Sequence, residues 1–416
     1  MNKKIYSVFI FFIVLFSAIN SFHKEILAEE TNIIQKPDDV VVVSNRKTPE
    51  LKMRIVFKEE LSIGSVEGEE NYLFGNSIAF NTDKDGNFYV SDVDAHRILK
   101  YDPDGKHLLT IGREGQGPGE FGSLSLVRFD KDNNIYINDA RNNRISFFDK
   151  QGKHLRHMRM TERFSELTFN SKGFIVANKY VAPEEGNTQK QIYLYGLFDD
   201  KFNLVAELFK NEIEFPLPTG RDASSMAGYI AKVFSLMAFR PMVITTVADN
   251  DFIYLGYPDK YEINVYSPEG RLVKKITRDY DPTPVSKKDK ENFVKMASEN
   301  LPDVFTEEIK EKSFQNMKYP KYKPAYQSLV LMEDGWLAVI VDSVEDEYTL
   351  FDVFDQEGKY IAHFKTPVPA EGMLAGLLFF KNGKAYAVVT EDDYKFVKRY
   401  DFEIQEYKDN KWVRKK

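Results

Sequence analysis

The residues best suited to chemistry by type and spacing are two Asp/Arg pairs, Asp92 with Arg97 and Asp139 with Arg144, which recur 47 positions apart. A carboxylate five residues from a guanidinium could belong to an active site, or could simply make a charge-assisted structural contact. The recurrence decides between these. A catalytic site needs unlike groups converging on one point, whereas copies at equivalent positions argue for a bond made once per repeat. The expected role of all four is structural, with Asp accepting backbone N–H groups and Arg filling a loop.

Other chemistry is sparse. Of six histidines, His23 lies in the N-terminal segment and His96 in a repeat's turn. His107, His154 and His157 fall in or after outer-strand segments, and His363 in the outer strand of a later repeat. No three of them converge as a zinc site requires. The stretch GREGQGPGEFG, residues 112 to 122, lacks the Gly-Lys-Ser/Thr ending of a phosphate loop and precedes a strand. It reads as a linker between repeats. No Gly-x-Ser-x-Gly elbow is present. The expectation is no catalytic residue, no metal ligand and no cofactor, with ligand-binding residues unspecified. The 33 Phe and 23 Tyr fit layer packing first, with sugar stacking by exposed Tyr as a second use.

The elements that carry these residues come from the repeat. DKDGNFYVSDVDAHRILKYDPDGK, residues 83 to 106, aligns without a gap on DKDNNIYINDARNNRISFFDKQGK, residues 130 to 153. Apolar and polar residues alternate in each copy, and Asp-Gly pairs such as Asp85-Gly86 and Asp104-Gly105 separate the runs. These are short antiparallel strands joined by tight hairpins. Four strands in a repeat of 40 to 50 residues is a propeller blade.

The sequence here resembles NHL-repeat propellers, and within them the bacterial six-bladed propeller proteins. The resemblance rests on an Asp closing one strand, an Arg-Ile pair opening the next and Asp-x-x-Gly ending it, with GREGQGPGEFG as linker. It is strong over residues 76 to 156. It implies an all-β fold, a six-bladed β-propeller, here over residues 51 to 416; the residues themselves add a small helical insertion at about 279 to 326. Later blades follow from hairpin logic, and the sixth lacks one strand. Met53 to Ile63 is expected to supply it and close the ring beside Phe396 to Phe402. The resemblance also brings in metal-dependent lactonases and lyases, whose ligands gather at the channel mouth. The inner strands here begin near Asn76, Ser123, Glu166, Pro241, Gln327 and Met373. One carboxylate among six is a poor calcium cage.

Antiparallel connectivity sends the link between second and third strands, and the link between blades, to one face. On it fall the long segments Asn211 to Arg240 and Asp279 to Tyr326, flanking the fourth blade, where a pocket is expected. Ser286 should cap a helix over Lys287 to Asn300, followed by a second over Asp303 to Gln315. The expected function is binding a protein or small ligand through this long-loop face. The alternative is a metal-dependent hydrolase or lyase.

Lys3, Lys4 and the uncharged run Ile5 to Ile19 read as an export signal of residues 1 to 28, followed by an extension over 29 to 50. A periplasmic or extracellular monomer is expected, membrane-tethered if the segment is retained. With no cysteine there is no disulfide and no lipidated anchor. Loss of residues 1 to 28 takes the formal charge from −7 to −9, which argues against nucleic acid.

Overall fold

The computed structural model describes residues 40–181, 189–220, 222–299, 301–302, 304–332, 335–344, 348–366 and 378–414. The signal-segment reading lies outside them. Six antiparallel sheets form the six blades of a β-propeller. From the channel outward, blade one holds Ile78–Thr82, Phe88–Asp92, Arg97–Tyr101 and His107–Ile111. Blade two holds Arg128–Phe129, Ile135–Asp139, Arg144–Phe148 and His154–Arg159. Blade three runs Phe164–Phe169, Ile175–Val181, Lys190–Phe198 and Leu204–Glu214. Blade four follows with Ile244–Val247, Ile253–Gly256, Glu262–Tyr266 and Leu272–Arg278. Blade five has Ser328–Leu331, Leu337–Val344, Tyr348–Phe354 and Tyr360–Thr366. Blade six has Leu378–Lys381, Lys384–Glu391 and Tyr394–Lys408.

The middle strands are buried on both faces, as Phe88–Asp92 and Arg144–Phe148 are along their whole length, because each blade is sandwiched between two others. Each junction has its own apolar cluster. Phe80, Phe88 and Leu99 of blade one meet Tyr386, Val388 and Val397 of blade six, and five further clusters fill the remaining junctions. A fully buried Phe or Leu contributes roughly 1.5–3 kcal/mol, so no disulfide is needed to hold the ring.

The short turns use one device. Oδ1 of Asp83, Asp130, Asp102, Asp149 and Asp199 accepts the backbone N–H groups two and four residues on. The side chain satisfies the turn's own donors, so the hairpin closes without outside help.

Met53–Ile63 pairs antiparallel with the third strand of blade six, Ile63 facing Val397 and Phe57 facing Phe402. This closes the ring as the strand count requires. The preceding residues do more than extend the chain. Val41–Asn45 adds a parallel fifth strand to blade four, in register with Lys274–Arg278. Leu51 N then donates to Ile361 O of blade five at 2.9 Å. Asn45 joins the two blades: its Nδ2 donates to Thr277 O and Gly358 O, and its Oδ1 accepts from Tyr360 N. The N-terminal chain is therefore a belt across blades four, five and six. The third strand of blade six also runs on to Lys408 and pairs with Lys411–Arg414, so one further hairpin extends this blade.

Candidate functional site

The two insertions flanking blade four fold into one cap. The first begins after Glu214, later than the sequence boundary at Asn211, and holds helix α1, Ala223–Met237. Asp222 caps it, accepting from Ser224 N and Ser225 N at 3.1 and 3.0 Å. The second holds α2, Lys287–Glu299, and α3, Glu307–Gln315. Ser286 and Asp289 exchange backbone bonds at the start of α2, Ser286 N to Asp289 Oδ2 and Asp289 N to Ser286 Oγ, a capping box. Thr306 caps α3.

Aromatic rings lock the insertions together. Phe234 of α1 lies 6.4 Å from Phe293 of α2 and 6.0 Å from Phe314 of α3, and Phe239 lies 5.7 Å from Phe293. Ala231, Ala238 and Met317 complete this small core. The second insertion has a narrow neck, in which Lys323 N donates to Thr283 O and Val285 N to Lys321 O. Below the neck the chain belongs to the propeller: Tyr326 is fully buried and donates to Glu262 O at 2.6 Å. The sequence boundary at Tyr326 is thus too wide. Leu217, Met237, Met296 and Val304 of the two insertions are exposed.

Beside the cap's root lies an open depression of about 510 Å³, lined by Lys260, Tyr261, Glu262, Thr277, Arg278, Asp279 and Tyr280. Its lining residues Tyr261 and Arg278 belong to a buried charge system. Asp352 of blade five, with no exposed side-chain surface, accepts from Arg278 Nη1 at 2.7 Å, Tyr261 OH at 2.6 Å and Tyr360 OH at 2.8 Å. His363 Nδ1 lies 2.8 Å away. Burial pushes the Tyr261 and Tyr360 phenols up, and the neighbouring carboxylate adds to it. The Arg278 guanidinium stands over both rings, 5.1 and 4.3 Å from their centroids, and its Nη2 holds Lys47 O of the belt.

The repeated Asp/Arg pairs sit away from this depression. In blade two, Arg144 binds Asp139 at 3.3 Å and donates to Gln116 O, Gly117 O and Glu120 O at 2.8, 2.9 and 2.6 Å. Asp139 in turn accepts from Gly122 N, Ser123 N and Asn142 Nδ2. In blade one, Arg97 binds Asp92 at 3.1 Å, Glu70 O and Leu73 O, while Asp92 accepts from Gly75 N. Each pair ties the incoming linker to its blade. A side chain at Gly122 would meet Asn142 at 2.8 Å, and one at Gly75 would meet Asp94 and Asp92, so the approach requires glycine.

Of the histidines, His96 occupies a turn with φ 51°, and His107, His154 and His157 lie on outer strands. Among the described residues, His363 is the one histidine that joins a charged network. Among the described residues no group of three His, Cys, Asp or Glu is placed to share a metal ion. Glu166 is exposed at the channel.

A family model described as 6-bladed beta-propeller matches residues 65–254. No curated protein matches the chain. Among solved structures, a candidate exported protein of Bacteroides fragilis is 12% identical, with a TM-score of 0.51, over 88% of this chain and 100% of that one. A protein from Bacteroides vulgatus is 10% identical, with a TM-score of 0.46, over 85% of this chain and 99% of that one. Virginiamycin B lyase of Staphylococcus aureus is 8% identical, with a TM-score of 0.41, over 84% and 99%. The likeness to the Bacteroides fragilis protein speaks to the fold alone.

Proposed function

Taking the chain as a six-bladed β-propeller, we propose that it is an exported binding protein that engages its partner through the cap and the depression on blade four. The observation that carries this reading is the fusion of two separate insertions into one aromatic-cored cap beside an open depression. Structure built at such length on one face, with exposed Met and Leu side chains, is what a recognition surface needs and a bare scaffold does not. Export rests on Lys3, Lys4 and the apolar run Ile5 to Ile19, and the Bacteroides fragilis neighbour is itself a candidate exported protein. Among the described residues no helix is long and apolar enough to cross a membrane.

The test is a photo-crosslinking amino acid placed at Met296, Tyr280, Asp104 or Gln151, one position at a time. Crosslinks to one species from Met296 and Tyr280, lost when residues 284 to 322 are replaced by a short Gly-Ser linker, are the expected result. Crosslinks from Asp104 and Gln151 on the turn face would move the binding surface. Stoichiometric calcium or zinc on the purified protein would turn the reading toward a metal-dependent hydrolase or lyase.

A further inference from the structure

A second polar site lies in the channel wall between blades two and three. A niche of about 40 Å³ is lined by Ser125, Leu126, Arg128, Tyr136, Asn138 and Glu166. That is room for more than one water molecule. Ser125 and Glu166 sit near the starts of inner strands, so the niche faces the long-loop mouth of the channel. It is separate from the depression on blade four and stands or falls independently of the cap.

Three of its groups are only partly used by the protein. Arg128 spends Nε on Leu167 O at 3.0 Å, which leaves its two terminal nitrogens, and it makes no ion pair with Glu166 among the described residues. Asn138 donates Nδ2 to Phe164 O at 3.1 Å. That carbonyl fixes which amide atom is nitrogen, and Asn138 Oδ1 is left buried with no partner among the described residues. Glu166 is held with φ 51° at a slip in strand register between Ser165 and Thr168. A side chain in that backbone region costs energy, and such strain collects at binding sites. Crowding by the channel wall raises its carboxyl above the ordinary range, against the pull of Arg128.

The arrangement offers a guanidinium with two free donors, and a carboxylate and an orphan amide oxygen as acceptors. Opposite charges that share a niche without bonding each other are completed by a ligand carrying both charges in the reverse order. We propose that the niche binds the zwitterionic head of an α-amino acid, its carboxylate on Arg128 and its ammonium between Glu166 and Asn138 Oδ1. The amino acid's side chain would extend into the open channel.

The test is calorimetric titration of the full chain with glycine, L-alanine, L-leucine and L-glutamate, then with L-alaninamide and N-acetyl-L-alanine. At least one free amino acid should bind, and both blocked forms of alanine should bind roughly tenfold more weakly or worse, the loss of about one charged contact. Arg128→Gln and Glu166→Gln should each weaken binding to a similar degree while remaining folded, each with one cooperative melting transition. Arg128→Gln should in addition abolish discrimination against the amide. If Arg128→Gln fails to fold, the near-isosteric Glu166→Gln carries the test, since Glu166 is exposed. No binding by any of the four amino acids, equal binding of blocked and free alanine, or a niche holding only water in crystals soaked with alanine would overturn the proposal.

Discussion

Replacing Arg144 with Ala should be among the most damaging single changes in the ring, and the loss can be worked from its contacts. The guanidinium is about one-tenth exposed and the Asp139 side chain is not exposed at all. Truncation leaves Gln116 O and Glu120 O without their donor, leaves Gly117 O with the Glu120 N–H alone, and deprives a buried carboxylate of the one cation that pairs with it among the described residues. Breaking a buried ion pair from one side costs about 3–5 kcal/mol. Asp139 keeps Gly122 N, Ser123 N and Asn142 Nδ2, which places the expected loss near the lower end. Arg97 makes the matching clamp with fewer carbonyls, and one of its contacts is to the largely exposed Glu70, so Arg97→Ala should cost about 1–3 kcal/mol. Urea unfolding followed by fluorescence would give both midpoints. A double-mutant cycle of Arg144→Ala with Asp139→Asn should return a coupling of about 1 kcal/mol or more. Equal midpoints for the two Arg variants, or an Arg144→Ala midpoint unchanged from the parent, would refute the clamp as the reason for the repeat.

Asp352→Ala should lower stability by about 3–5 kcal/mol, because it strands the Arg278 guanidinium inside the junction of blades four and five; a urea midpoint within error of the parent would contradict this. Asn45→Ala removes three bonds of the belt and should cost about 1–3 kcal/mol, with faster proteolysis before Met53 as the second readout. Stability should also depend on Glu166. Its folded pKa is raised, so between the unfolded value and the higher folded one the native state binds more protons, and stability falls as pH rises through that window. Glu166→Gln should therefore flatten the pH profile above the ordinary carboxylate range and raise the melting temperature near neutrality. An unchanged profile would show that the wall does not desolvate the carboxyl.

The ring was legible because it is written locally. Each blade repeats period-two strands and an Asp that closes its own turn, and the 47-residue spacing that carries Asp92 to Asp139 also carries Phe74-Gly75 to Phe121-Gly122. That second match was the available signal for the clamp's other half. Helix α1 was missed although its signals are present: Asp222 in the capping position, then Ala227, Ile230, Ala231 and Phe234 on one side at helical spacing. The belt was read as an extension because Val41–Asn45 pairs in parallel with a strand more than 200 residues away. The Asp352 network was out of reach for the same reason, since ring packing brings Arg278 to Asp352 across 74 residues.

Glu166 shows a different limit. The sequence puts the start of an inner strand near Glu166 but does not give the direction of its side chain, because the strand does not keep period two. Phe164 and Leu167 both belong to the core between blades two and three, although they are an odd number of residues apart and strict alternation would put them on opposite faces. The register slip between Ser165 and Thr168 absorbs the extra residue, and Glu166 takes the left-handed backbone that the slip requires. Leu167 and Phe169 then resume the even spacing, with Phe169 against Tyr136 at 5.0 Å. One inserted residue thus leaves the packing of the blade intact and turns a carboxylate into the niche beside Arg128. Removing Ser165 should restore unbroken pairing with the second strand and take the carboxylate out of the niche while the ring stays closed. A variant without Ser165 that folds and still binds an amino acid at the parent's affinity would separate the bulge from the site.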